Sequence, residues 1–175
     1  MKKQKGFSLI ELLIVVAIIL IIAAIAIPNL LRSKIAANES SAVGSVRTIG
    51  TAEVTYSSSW GTGYAADLAS LGGAATPCVA AAANACLIDS LLSVAPFTKS
   101  GYVFNAAGTY ASNGVNNGFE VNATPSAVGT TGQRAFCDDQ TGVIRFNVTG
   151  AAIGVAQDSC AKVPTVAGQS GPVGN

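Results

Sequence analysis

Apolar residues are concentrated at one end of this 175-residue chain. From Phe7 to Ile27 only Ser8 and Glu11 are polar, and fifteen of the 21 positions are Ile, Leu, Val or Phe. As a helix this run would be roughly 31 Å long, the thickness of a bilayer's hydrocarbon core. Those fifteen side chains favour insertion by roughly 4.5–9 kcal/mol, against about 2.5–3.5 kcal/mol for one acid at a helix centre. The helical pattern continues past the run. Ala42, Val46, Ile49, Ala52, Glu53 and Tyr56 recur at a three-to-four spacing. Arg32, Lys34, Asn38, Glu39, Ser45 and Arg47 fall largely on other faces, which predicts an amphipathic continuation. Pro28 removes one backbone donor and predicts a kink near residues 24–28. The helix is expected from Phe7 to Ser57, ending in the turn chemistry of Ser57-Ser58-Ser59-Trp60-Gly61.

Beyond residue 60 the pattern changes period. Tyr64–Leu71 and Leu87–Leu92 read as short helices. Tyr102 and Phe104 alternate with small residues until Gly108 breaks the run. Asn116-Asn117-Gly118 is a turn signal, followed by the alternating Phe119–Asn122. Arg134–Cys137 and Val143–Val148 flank Asp139-Gln140-Thr141-Gly142, predicting an antiparallel hairpin with one buried face. Pro164–Asn175 reads as a loose tail. The fold class expected is α+β: a long N-terminal helix packed on a small antiparallel sheet. The expected division is 1–6 leader, 7–27 membrane-spanning or filament-core helix, 28–60 amphipathic continuation, and 61–175 globular head.

Charge and composition narrow the function. The chain has ten Lys and Arg against nine Asp and Glu, and three of the lysines (Lys2, Lys3, Lys5) lie in the first six residues. Without them seven basic side chains face nine acidic ones, so no counterion-release drive toward nucleic acid is expected. With no histidine, neither a Ser-His-Asp nor a Cys-His arrangement can be built. Asp138-Asp139 reads as a turn rather than a calcium loop, since too few acids accompany it. No metal or cofactor is expected.

The four cysteines are Cys78, Cys86, Cys137 and Cys160. Their even number behind an export-type N-terminus predicts disulfides in an oxidising compartment. Three pairings are possible. Cys78–Cys86 with Cys137–Cys160 is favoured because each closes a short local loop.

The junction Lys5-Gly6-Phe7-Ser8-Leu9-Ile10-Glu11-Leu12-Leu13-Ile14 combines a basic leader ending in glycine, an aromatic residue, and a glutamate opening a long apolar helix. It resembles the N-terminus of type IV prepilins and pseudopilins, and Pro28 matches the proline usual there. Thr131–Arg145 looks like segments of some pilins. The resemblance implies cleavage between Gly6 and Phe7 by a prepilin peptidase and N-methylation of Phe7. It also implies a structural role rather than catalysis: copies of the chain and other pilins polymerise through the helix, with the pilus assembly machinery, into a surface filament. Before assembly the chain would be a single-pass inner-membrane protein with its head outward; afterwards the filament is extracellular. Such filaments serve adhesion, motility or DNA uptake. The alternatives are a pseudopilin of a type II secretion system and a single-span binding protein that never polymerises.

Glu11 has a physical role independent of resemblance. Cleavage would leave an ammonium at Phe7, where the helix dipole is already positive. A carboxylate one turn on offsets both charges, and an unpaired charge among packed apolar helices is costly. Pairing between the Phe7 amine of one subunit and Glu11 of another would set axial register.

Overall fold

The computed structural model describes residues 7–73 and 77–173. The leader, with the expected cleavage residue Gly6, lies outside them. The chain divides into two units, 1–34 and 35–175. The element order is α1 (Leu9–Trp60), α2 (Leu68–Leu71), α3 (Ser90–Ser93), β1 (Thr98–Lys99), β2 (Tyr102–Ser112), β3 (Val115–Pro125), β4 (Ala135–Asp139), β5 (Arg145–Asn147) and β6 (Ser170–Pro172). The architecture is α+β. Helix α1 runs on to Trp60, three residues past the expected end, and begins at Leu9; Pro28 lies inside it.

In the second unit the six strands form one antiparallel sheet in simple sequence order. Neighbouring strands follow one another in the chain, so each pairing closes only a short loop. The stripe Ala42, Val46, Ile49, Ala52, Glu53 and Tyr56 is buried against Phe104, Phe119, Val121, Ala123 and Phe136. Burying each large apolar side chain is worth about 1.5–3 kcal/mol, and this face is the main core. The opposite face of the sheet carries a second cluster: Ala135, Cys137, Ile153, Cys160 and Val163. Strand β4 serves both clusters because its side chains alternate. Phe136 faces α1, while Cys137 faces the chain around Cys160. Both disulfides are formed: Cys78–Cys86 spans 8 residues, and Cys137–Cys160 spans 23 and holds the C-terminal segment on the sheet.

Several expectations are corrected. Gly108 does not end β2; it lies within the strand, opposite Phe119. A Cβ there would stand 2.1 Å from the Asn116 amide nitrogen and 2.8 Å from the Ala65 carbonyl oxygen, so glycine permits close approach rather than a break. Asn116-Asn117-Gly118 is strand, and the hairpin turn is Asn113-Gly114, both with φ above +50°. Of the Tyr64–Leu71 stretch only Leu68–Leu71 is helical, started by Asp67, whose carboxylate accepts from Ser70 N. The second short helix starts later than expected because Asp89 caps it. Strand β5 is limited to Arg145–Asn147. The tail is not loose throughout, since Ser170–Pro172 pairs with β5 and Val173 N donates to Ile144 O.

Candidate functional site

The first described turn of α1 is a capping box, the reciprocal arrangement of a Ser and a Glu three residues apart. Ser8 Oγ accepts from Ile10 N at 3.3 Å, and Glu11 Oε2 accepts from Ser8 N at 2.9 Å. Two of the amide groups that a helix start leaves orphaned are thereby satisfied. The Glu11 carboxylate is fastened one residue from Phe7. The spacing Ser8-x-x-Glu11 carries this cap in the sequence, a role that the charge of Glu11 alone does not reveal.

From Leu9 to Lys34 the helix has no buried residue. Phe7, Leu9, Ile10, Leu20 and Ile25 are all more than 60% exposed, although nothing about them is polar. A helix apolar on every side is stable when lipid or other helices cover it. Among the described residues one helix is long and apolar enough to cross a membrane, and it is this one.

Within the second unit α1 is fixed by polar groups that the periodicity placed on other faces. Glu39 is buried, contrary to that expectation. Its Oε1 accepts from Gln133 N at 2.9 Å and Arg134 N at 3.0 Å. Its Oε2 takes Arg134 Nε at 2.8 Å and Nη2 at 2.7 Å. Four donors on one carboxylate leave little of its charge uncompensated. The Arg134 guanidinium also lies 5.5 Å from the ring centres of Phe136 and Phe146. Asn38 Nδ2 donates to Thr131 O at 2.7 Å, one residue earlier on the helix. Ser45 is buried as well.

Three carboxyl groups in this unit, none in an ion pair among the described residues, have their pKa raised by burial. Glu53 is fully buried; Oε2 accepts from Ala65 N at 2.8 Å, while Oε1 has no partner among the described residues. Burial pushes its pKa up to about 8 despite that hydrogen bond. Glu120 faces Asp139 across β3 and β4, accepts from Cys160 N at 3.0 Å, and is pushed up to about 7, mainly by burial. Asp138, on the α1 side of β4, is raised by burial to about 6, with the Arg47 charge working in the opposite direction. Asp138 and Asp139 lie in the strand, not in the turn; the turn follows them. No group of three or more metal-ligating side chains occurs among the described residues.

Comparison with known proteins covers part of the chain. The family model described as the prokaryotic N-terminal methylation motif matches residues 1–27. The type IV wide pilus major component PilA4 of Thermus thermophilus is 62% identical over 39 residues, 22% of this chain and 30% of that protein. The type IV major pilin protein PilA of Myxococcus xanthus is 45% identical over 54 residues, 31% of this chain and 24% of that one. The matched segment thus spans less than a third of either relative. No solved structure matches the chain significantly. The chain is thus similar to type IV pilins over a minor part of its length.

Proposed function

We propose that this chain is the structural subunit of a type IV pilus, with no catalytic role. The observation that carries the proposal is the apolar helix start. It is exposed on all sides, opens with Glu11 next to Phe7, and matches pilus proteins where the match is strongest. Cleavage between Gly6 and Phe7 removes the lysines and creates an ammonium beside the Glu11 carboxylate. The prepilin peptidase makes that cut and methylates Phe7. Until assembly the helix is held in the inner membrane with the head outward; in the filament the same surface is covered by copies of itself. Glu11 then has two partners to choose between, its own Ser8 amide and the ammonium of an incoming subunit. A charge-assisted bond to an ammonium in an apolar surrounding is the stronger of the two. Exchange of the intrachain cap for that bond sets register. Pro28, which leaves the Ala24 carbonyl without its usual donor, is where α1 would adjust as subunits pack.

Mass spectrometry of the mature chain from its own host, with electron microscopy of the cell surface, tests this. N-methylated Phe7 in long surface filaments is expected. An intact Met1 would overturn the proposal, and processed subunits confined to short periplasmic assemblies would favour a secretion pseudopilin.

A further inference from the structure

A pocket of about 390 Å³ lies between the second half of α1 and the turn joining β4 to β5. Arg47, Gly50 and Thr51 line it from the helix; Phe119, Asp138 and Asp139 line it from the sheet. Asp138 is almost wholly buried. Its Oδ1 accepts from Asp139 N at 3.0 Å. Its Oδ2 accepts no hydrogen bond among the described residues and sits so close to the helix that a Cβ on Gly50 would be 2.6 Å away. Gly50 is the residue that lets a carboxyl group occupy this position.

The other carboxylates have uses within the chain. Glu39 is held by Arg134, Asp89 by Lys99, and Asp158 by Lys162. Glu11 and Asp67 cap helices, and Asp139 accepts from Thr141 N and Oγ1. Glu53 and Glu120 are enclosed, each holding a backbone amide, Ala65 N and Cys160 N, and burial raises both toward the neutral form. Asp138 alone combines a buried carboxyl, a free oxygen and an opening to the outside. With Asp139 negative and Arg47 positive, the pocket carries one net negative charge.

Cations show the complementary gap. Arg32 and Lys34 are exposed and form no ion pair among the described residues. No acid lies three or four positions from Lys34 on either side. Apolar helices packed around an unmatched ammonium would impose a desolvation cost on it. A single carboxylate oxygen at the floor of a pocket suits a compact ammonium on a flexible stem better than a planar, two-pronged guanidinium.

We propose that the pocket on one copy of the chain receives the Lys34 ammonium of a neighbouring copy, which donates to Asp138 Oδ2. This rests on the pilus-subunit reading and adds a second intersubunit charge pair, on the head side of the filament. Arg47 at the rim then excludes a second cation, so each pocket takes one lysine.

The test uses the full-length chain in cells that process and assemble it, with sheared surface filament as the readout. Lys34→Gln and Asp138→Asn are each expected to lower filament yield at least about thirtyfold, the lower end of the effect for a desolvated charge pair that loses one member. The double variant should be no worse than the more damaging single one. Losses that multiply, or no loss, would overturn the pairing. Immunoblots of the membrane pool show whether Asp138→Asn still folds. If it does not, Lys34→Cys combined with Gln140→Cys decides: filaments should give a ladder of disulfide-linked multimers that neither single variant gives. Filaments without the ladder overturn the pairing and leave the pilus reading standing. Wild-type cells without filaments overturn both.

Discussion

Helix α1 uses similar residues for opposite purposes in its two halves. Ile10, Ile18 and Ile25 are more than half exposed, whereas Val46 and Ile49 have no exposed surface at all. Each half also carries one acid facing a different problem. Glu11 lies at a helix start, where a fixed positive potential and nearby amides welcome its charge. Glu53 is sealed against the sheet, where its charge is penalised and only Ala65 N is offered. The lesson is that apolar content alone does not distinguish a core from an interface. What distinguishes them is whether the same chain supplies the cover. The stripe Ala42, Val46, Ile49, Ala52 and Tyr56 is covered by Phe104, Phe119 and Phe136. Residues 9–34 lack such cover, and a membrane or other subunits would have to provide it.

The sharpest way to break this comparison is to separate the cap of Glu11 from its charge. Glu11→Gln retains a side-chain oxygen for Ser8 N but cannot neutralise an ammonium; Glu11→Val loses both. If the charge sets register, both variants should lose at least tenfold in surface filament, since stranding a buried charge costs about 3–5 kcal/mol. Wild-type assembly by Glu11→Gln would assign the residue to capping alone. Neither change should alter unfolding of the head.

Next in size is the head core. Phe136→Ala should destabilise the head by about 3–5 kcal/mol, because Phe136 is fully buried between α1 and the sheet. Denaturant unfolding of the detergent-solubilised chain measures this. Membrane extraction of the variant should match wild type, since residues 9–34 take no part in that core.

The disulfides rank slightly lower. In the chain-entropy model a bridge stabilises more as its loop lengthens. Replacing Cys137 and Cys160 with serine should cost about 3 kcal/mol, and also release Ile153 and Val163 from the sheet. Replacing Cys78 and Cys86 should cost about 2.5 kcal/mol. Equal unfolding midpoints for the two double variants would show that closure entropy is not the main term.

The sequence revealed α1 to within three residues at each end because its pattern is long and its period regular. Ala42 to Tyr56 needed no knowledge of the sheet to be recognised as a buried stripe. Strand limits were harder. Gly108 and Gly118 resemble breaks, yet each is glycine because a neighbour comes close: Asn116 in one case, the Tyr110 ring in the other. Such approaches depend on residues far apart in the chain. Glu39 was misplaced for the same reason. A glutamate on the polar side of a helical wheel gives no sign that two amides and a guanidinium will converge on it from positions 133 and 134. The capping box at Ser8 and Glu11 was local and readable. The pocket floored by Asp138 was not, since it needs Gly50 to lie under a strand that begins 85 residues later.

The finest test concerns Glu53, and its sign follows from its surroundings. The folded-state pKa of about 8 stands above the ordinary carboxyl value, so the folded head holds a proton that the unfolded chain releases more readily. The Glu53 contribution is therefore complete below about pH 4.5. It declines through neutrality by at most about 1.4 kcal/mol per pH unit and levels off above about pH 8. Glu120 and Asp138 push the same way over narrower ranges, to about 7 and about 6. The head should thus unfold at a higher temperature at pH 5 than at pH 8. Glu53→Gln mimics the protonated form at every pH. It should match wild type at pH 5, exceed it at pH 8, and shallow the slope between. An unchanged slope would mean that Glu53 is ionised in the folded head, and that its unpartnered Oε1 is reached by water or a cation. The second half of α1 would then share with the first the habit of keeping a charged acid among apolar neighbours.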